Sequence, residues 1–80
     1  MRFFASDVQD KYVMSSDGKY LGTVDNLVVD TRSGKVLHLL AIPSEEVDIN
    51  KFRMDSQDRL VLPFKNVKSI KDVIIMSPLD

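Results

Sequence analysis

The sequence predicts an all-β fold, a small closed or partly open β-barrel of five to six antiparallel strands, and three observations lead to it. Short apolar runs separated by polar or glycine-bearing turns recur along the 80 residues, which is typical of strands. Two pairs of these runs are close enough to form hairpins. One run, residues 21–30, changes its apolar parity midway, which predicts a bulge and the curvature that closes a sheet.

The first two strands are predicted on either side of a turn. Residues 10–14 form a short candidate strand, and residues 15–19 form a turn in which Gly18 can adopt a positive φ. The second strand covers residues 21–30. Because Val24 lies on one parity and Leu27 and Val29 on the other, we place a bulge or bend near residues 25–26.

The third strand, residues 36–42, is apolar on both faces and is broken only by His38. A strand that is apolar on both sides is normally covered on both sides. A chain of 80 residues has a thin core, and oligomerisation is a common way to stabilise it. We therefore expect a second chain to provide the outer cover, as in a homodimer.

The second half of the chain predicts another hairpin and a short helical turn. An acidic loop over residues 44–50 precedes the alternating apolar segments 52–54 and 60–64. In residues 64–70 apolar side chains then recur every three residues, which predicts one helical or 3₁₀ turn with lysines on its other side. Residues 73–76 form the last strand.

Composition limits the classes of function. Hydrophobic residues make up 44% and charged residues 29% of a single expected domain, residues 1–80, with a net charge of −1. So small a charge gives no global field to attract nucleic acid or an anionic membrane. The absence of cysteine excludes a disulfide scaffold, a cysteine-based zinc site and thiol catalysis.

The sequence also favours a cytoplasmic protein without membrane insertion. No apolar run approaches the roughly 20 residues that span a bilayer. The first seven residues, MRFFASD, become polar too early for a secretory signal. The three glycines are not closely followed by a helix, so we expect no phosphate-binding loop and no cofactor.

Three segments together resemble the PRC-barrel domain family. Residues 18–30 read GKYLGTVDNLVVD, residues 33–37 read SGKVL, and residues 62–75 read LPFKNVKSIKDVII. Each segment is short, but their order and spacing are specific in combination. The resemblance implies a small β-barrel.

The family also implies a class of function. It includes the cytoplasmic domain of the photosynthetic reaction-centre H subunit, the C-terminal domain of the ribosome maturation factor RimM, and stand-alone barrels. Some archaeal barrels resemble cell-division adaptors that bind SepF. These members share docking to other proteins. Since this sequence has neither a transmembrane helix nor an N-terminal RNA-processing domain, we expect a stand-alone barrel of the archaeal type.

The polar candidates for chemistry have structural explanations. His38 is the single histidine and has no recognisable nucleophilic or ligating partner, so we interpret it as a structural or interface residue. The acidic loop with Glu45, Glu46 and Asp48 lacks the spacing of a cation-binding loop, and we expect no metal. No catalytic residue is predicted.

The candidates for partner binding are apolar and basic. Phe3 and Phe4 either pack on their own barrel as an extra strand or anchor a partner chain. In the third strand the same two alternatives, packing on the chain's own barrel or contact with a partner chain, apply to Leu37, His38 and Leu39. Lys65 and Lys68, with Lys71, form the best basic stripe, but no aromatic pattern for base stacking accompanies it.

The sequence therefore predicts a non-catalytic protein-interaction or adaptor module, a homodimer with a protein partner and without nucleic acid. The alternative is a ribosome- or RNA-associated accessory factor, motivated by the relationship to RimM and by the lysine stripe.

Overall fold

The computed structural model describes residues 5–78, and almost all of its regular structure is β. Short apolar segments bounded by turn residues give the strands, as their alternation predicts. Two 3₁₀ turns and one helical turn complete the chain. The elements are α1 (Ala5–Val8), β1 (Tyr12–Ser15), β2 (Tyr20–Val29), β3 (Val36–Pro43), a 3₁₀ turn (Ile49–Lys51), β4 (Leu60–Pro63), a second 3₁₀ turn (Phe64–Asn66), β5 (Val67–Ile70) and β6 (Val73–Met76).

The six strands form one curved, open sheet in the order β4-β3-β2-β1-β6-β5. The predicted all-β class and the partly open barrel are thereby confirmed. Four of the five pairings are antiparallel, but β1 and β6 run parallel. A parallel pair needs a long crossover connection, and the chain between these first and last strands provides it. The expectation of antiparallel strands alone is corrected at this pair.

The β2–β3 hairpin contains the predicted bulge. Val24 lies opposite Ala41 and Asn26 lies opposite Leu40, so Asp25 is the extra residue. The extra residue returns the following apolar residues to the core side, and Leu27 lies opposite Leu39 there. A bulge also increases the local twist of the strand, which curves the sheet around its core.

Gly22 lies where β2 and β3 approach each other closely. It is buried and lies opposite Pro43, and a Cβ atom added to it would be 3.0 Å from the carbonyl carbon of Ile42. The close approach of β3 to β2 therefore requires glycine here.

The concave side of the sheet holds the core. Val8 of α1 is 1% exposed and closes the core from outside the sheet. Strands β1 to β4 and β6 contribute to it, and the core residues of β3, β4 and β6 alternate with outward-facing ones, as in half-buried strands. The core residues are Val8, Val13, Leu21, Val24, Leu39, Ala41, Leu60, Leu62, Ile74 and Met76.

Two predicted elements differ in detail. The expected strand at residues 52–54 is reduced to an isolated bridge between Met54 and Leu60. Residues 64–70 contain the predicted 3₁₀ turn only at Phe64–Asn66, and Val67–Ile70 is strand β5. The period of three arises because a 3₁₀ turn and a bulged strand follow one another. Lys65 and Lys68 therefore lie on different elements.

Candidate protein-interaction surface

The outer side of the sheet carries a continuous row of side chains across four strands. Val13 is buried, so its neighbour Tyr12 points to the opposite side. Tyr12 lies opposite Thr23 on β2 and Val73 on β6, and Thr23 lies opposite Ile42 on β3. This row is therefore set by the strand register.

A second row lies beside the first. Met14 is opposite Tyr20 on β2 and Ile75 on β6. The rings of Tyr12 and Tyr20 meet edge to face, with centroids 5.5 Å apart and an interplanar angle of 75°. The Tyr20 hydroxyl is 3.1 Å from Oγ1 of Thr23. We call this surface the tyrosine face, and its residues are Tyr12, Met14, Tyr20, Thr23, Ile42, Val73 and Ile75.

The tyrosine face is accessible at two positions in its first row. Tyr12 is 57% exposed and Ile42 is 54% exposed. Tyrosine presents a large contact area with few rotatable bonds and a polar tip, properties that suit it to binding surfaces. The ring contact between Tyr12 and Tyr20 restricts both side chains before any partner arrives. A ring contact that already exists in the free chain lowers the side-chain entropy that binding at such a surface would cost.

The residues of the tyrosine face were not among those predicted from the sequence. Their signal was the alternation of Tyr12 and Met14 with the buried Val13, which places two large side chains on the outer side of a strand. A second signal was Ile42 on β3. Sequence alone does not show which neighbours these residues have, because the parallel β1–β6 pairing and the β1–β2 bulge set them.

The structure separates the predicted residues of β3. Leu37 is 44% exposed, whereas Leu39 is fully buried between Leu27 and Leu62. Leu39 is thus a core residue and presents no surface to a partner in the folded chain. His38 is half-buried on the outer side, directly opposite Val28 on β2 and Pro63 on β4.

The basic candidates are not part of the tyrosine face, and the aromatic candidates lie outside the described residues. Lys65 is exposed in the second 3₁₀ turn, and Lys68 is exposed on β5 at a register shift between Val67 and Ser69. Phe3 and Phe4 lie outside the described residues.

An ion-pair cluster joins β2 to the start of β4. Nη1 of Arg59 is 2.8 Å from Oδ2 of Asp25, and its Nε is 2.8 Å from Oδ2 of Asp55. Because β3 lies between β2 and β4, the arginine side chain crosses β3 to reach the bulge residue. The sequence predicts a bulge near residues 25–26, but it does not indicate this link to Arg59.

Hydrogen bonds shift the pKa values in the cluster. The backbone N–H of Arg59 donates to the carboxylate of Asp55, and together with the guanidinium it lowers the pKa of Asp55. Hydrogen bonds to Asp25 and then to Asp55 raise the pKa of Arg59. These shifts favour the charged forms of Asp55 and Arg59, and the arrangement of the cluster suits a structural clamp.

A cleft of about 420 Å³ lies between the β1–β2 turn and the loop before the first 3₁₀ turn. Its apolar lining includes Leu21, Val47 and Phe52, and its charged lining includes Lys19 and Lys51.

A short hydrogen-bond network holds the β1–β2 turn at the edge of the cleft. The Ser15 hydroxyl donates to the Asp17 carboxylate and lowers the pKa of Asp17. Ser15 is buried and also accepts from the backbone N–H of Lys19. These contacts fix the turn.

Residues 5–78 contain neither a metal-binding cluster nor a membrane-spanning helix. No group of three or more histidine, cysteine, aspartate or glutamate side chains in this part of the chain is arranged to hold a metal ion. No helix within these residues has the length and apolar character needed to cross a membrane.

Comparison with known proteins agrees with the observed sheet. A search of curated protein sequences found no match. Among solved structures, the chain is similar to RimM of Pseudomonas aeruginosa, which by name is a 16S ribosomal RNA processing protein, with 16% identity and a TM-score of 0.64. The likeness covers 94% of this chain but only 43% of RimM, so the chain spans less than half of that protein. At this identity the likeness concerns the fold. The family model described as PRC-barrel domain matches residues 1–80, and the chain belongs to the PRC-barrel domain family.

Proposed function

We propose that this chain is a non-catalytic protein-interaction module that binds a partner protein through the tyrosine face. The observation that carries the proposal is the row from Val73 through Tyr12 and Thr23 to Ile42, with both Tyr12 and Ile42 more than half exposed. Aromatic and large aliphatic anchors dominate the energetics of protein interfaces. We further propose that the module works in the cytoplasm, as a homodimer and without membrane insertion.

The side chains best able to serve as nucleophile or base are engaged in packing, which supports contact rather than catalysis. The Ser15 hydroxyl is buried and donates to Asp17. His38 faces Val28 and Pro63, which are apolar. A general base must reach the proton that it abstracts. Ser15 lines the cleft, but its hydroxyl already donates to Asp17, and His38 is not among the residues that line the cleft.

The test compares two isoleucines of similar exposure. Ile42 lies on the tyrosine face and is 54% exposed, whereas Ile49 lies in the first 3₁₀ turn and is 48% exposed. The tagged chain and its Ile42→Lys and Ile49→Lys variants would be used to capture partners from the cells that produce it. We expect Ile42→Lys to lose the partner that the wild type and Ile49→Lys retain. Equal capture by both variants, with circular dichroism showing both folded, would refute the tyrosine face as the docking site.

The finer form of the proposal is an archaeal cell-division adaptor whose partner is SepF. It rests on the resemblance to archaeal stand-alone barrels. Purified SepF titrated against the chain in a calorimeter tests it directly, and we expect binding that Ile42→Lys weakens. A capture experiment that recovers only ribosomal proteins would refute the division role.

The alternative is a ribosome- or RNA-associated accessory factor. The fold likeness to RimM and the exposed Lys65, Lys68 and Lys71 favour it. Neutralising phosphates with lysines makes binding strongly salt-dependent, so Lys68→Glu should reduce both RNA affinity and its dependence on salt. A failure to bind RNA at low salt excludes this function.

A further inference from the structure

The distal half of β2 has a strand neighbour on one side only among residues 5–78. On the β1 side, the pairing covers Tyr20 to Thr23 and ends with two backbone hydrogen bonds at Val24, from its N–H to Lys11 and from Asp10 to its carbonyl. Residues 26–29 continue along β3 alone. We call residues 26–29 the arm edge.

At two residues of the arm edge, the backbone N–H and carbonyl groups point away from β3. The N–H of Asp30 donates to the carbonyl of Lys35 at 2.8 Å, so Asp30 faces β3. Because facing alternates along a strand, Leu27 and Val29 direct their N–H and carbonyl groups to the open side. The N–H of Leu27 donates instead to the side chain of Asn26, at 2.8 Å. The side-chain oxygen of Asn26 thus accepts the hydrogen bond that a carbonyl of a neighbouring strand would otherwise accept.

Among residues 5–78, the outer strands β4 and β5 are covered or interrupted along their edges. The arm edge has no strand on its open side, although its pairing with β3 shifts register between Val24 and Asn26 and between Val28 and Val29. On β4, the N–H of Val61 donates to the carbonyl of Arg53, and the strand ends at Pro63. On β5, the exposed Lys68 lies at a register shift. Covering backbone, proline, lysine and bulges are the devices that prevent sheets from pairing edge to edge. The arm edge reads Asn-Leu-Val-Val and contains neither charge nor proline.

We propose that the arm edge pairs antiparallel with the arm edge of a second copy, about a two-fold axis at Val28. Leu27 then lies opposite the partner's Val29, and each such pair exchanges two hydrogen bonds, for a total of about four. A second copy fits because the edge is uncharged and its outward groups alternate symmetrically about Val28. Val29, which is 44% exposed, becomes covered in the pairing.

The proposed contact is only four residues long, and its small area limits the affinity of the dimer. Stable interfaces typically bury about 800 Å² on each partner, far more than a four-residue ladder with its side chains. The net charge of −1 per copy opposes association little. We therefore expect a dimer that dissociates in the micromolar range. The inference rests on the proposed homodimer and leaves the tyrosine face free for a different partner.

Cysteine cross-linking tests the register. The chain contains no cysteine, and Val28→Cys would place two thiols opposite each other in a non-hydrogen-bonded pair, where Cβ atoms are about 4.5–5.5 Å apart. We expect Val28→Cys to form a disulfide-linked dimer on mild oxidation, while Ile49→Cys on the distant loop stays monomeric under denaturing electrophoresis. Equal cross-linking of the two variants overturns the register.

Sedimentation equilibrium over the micromolar to millimolar range tests the contact without new thiols. Val29→Pro removes an N–H that points to the open side and leaves the bonds to β3 in place. We expect Val29→Pro and Val29→Lys each to weaken the dimer about tenfold or more, while Ile42→Lys leaves it unchanged. If neither Val29 substitution weakens the dimer, the arm edge is not the interface, whereas the proposed homodimer stands. A monomeric wild type refutes both.

Discussion

Replacing Gly22 by alanine tests the closest approach of β2 and β3. A methyl group at this position would lie 3.0 Å from the carbonyl carbon of Ile42 and 3.3 Å from Cα of Pro43, and closer still to the Ile42 oxygen. Ordinary carbon contacts are about 3.5–4.0 Å. The obstructing atoms belong to the backbone of β3, so no side-chain rotation can make room. The carbon contact alone requires the two strands to separate by about 0.5–1 Å, and the still closer Ile42 oxygen requires more.

The cost of this separation is large for a domain of this size. Overpacking in a tightly packed site costs about 1–3 kcal/mol, and the involvement of ladder backbone places Gly22→Ala at the upper end. The free energy of unfolding of 80 residues is about 4–12 kcal/mol at typical values per residue. A loss of about 3 kcal/mol lowers the melting temperature by about 12–24 °C.

Urea unfolding followed by circular dichroism measures this loss, and Gly34→Ala is the matched control. Gly34 has a φ of +74°, and a Cβ atom added to it would have no other atom within 4 Å. Alanine at this position must adopt the left-handed conformation, which lowers the free energy of unfolding by about 1–2 kcal/mol. The less flexible unfolded chain partly offsets this loss, by about 0.4–1 kcal/mol. We expect Gly22→Ala to lose clearly more stability. Equal losses would refute the close approach at Gly22.

Three further predictions concern the core, the clamp and the turn at Ser15. Leu39→Ala should lower the free energy of unfolding by about 2–5 kcal/mol because Leu39 is fully buried, whereas Leu37→Ala should change it by less than about 1 kcal/mol; chemical denaturation measures both. The lowered pKa of Asp55 means that its contribution to stability is present above the unfolded value of 3.8 and is lost as the pH falls through the lower folded pKa. Asp55→Asn should therefore flatten the acid limb of a thermal stability profile, and an unchanged limb would contradict the clamp. Ser15→Ala should raise the pKa of Asp17 towards its ordinary value, which NMR titration of the carboxyl carbon can follow.

The sequence predicts those features of the fold that neighbouring residues determine, such as the bulge in β2 and the bounds of β6. Val24 and Leu27 are three residues apart, so a regular strand would place them on opposite faces of the sheet. One extra residue between them is required if both face the core. The structure places that residue at Asp25, within the predicted pair. The last strand, Val73–Met76, was likewise predicted with the observed bounds, since a turn and a proline limit it.

What could not be predicted depends on contacts between distant segments. Nothing near Tyr12 indicates that β6 will lie beside β1 in parallel, yet this pairing places Val73 next to it. The apolar residues Leu37 and Leu39 are indistinguishable in sequence, but only Leu39 lies opposite a residue of β4. The Arg59 clamp spans β3 for the same reason. The candidate site is a product of strand order, and strand order is a tertiary property.

The filled interior explains why the proposed functions lie on the outside. The sheet curls around ten core residues, and seven of them are completely inaccessible to solvent: Val13, Leu39, Ala41, Leu60, Leu62, Ile74 and Met76. Close-packed interiors of this kind leave no room for a ligand. Binding must then use the outer side of the sheet, an edge or the cleft at its end. The tyrosine face and the arm edge consist of different residues of the sheet, so the proposed self-association and the proposed partner binding would not compete for the same residues.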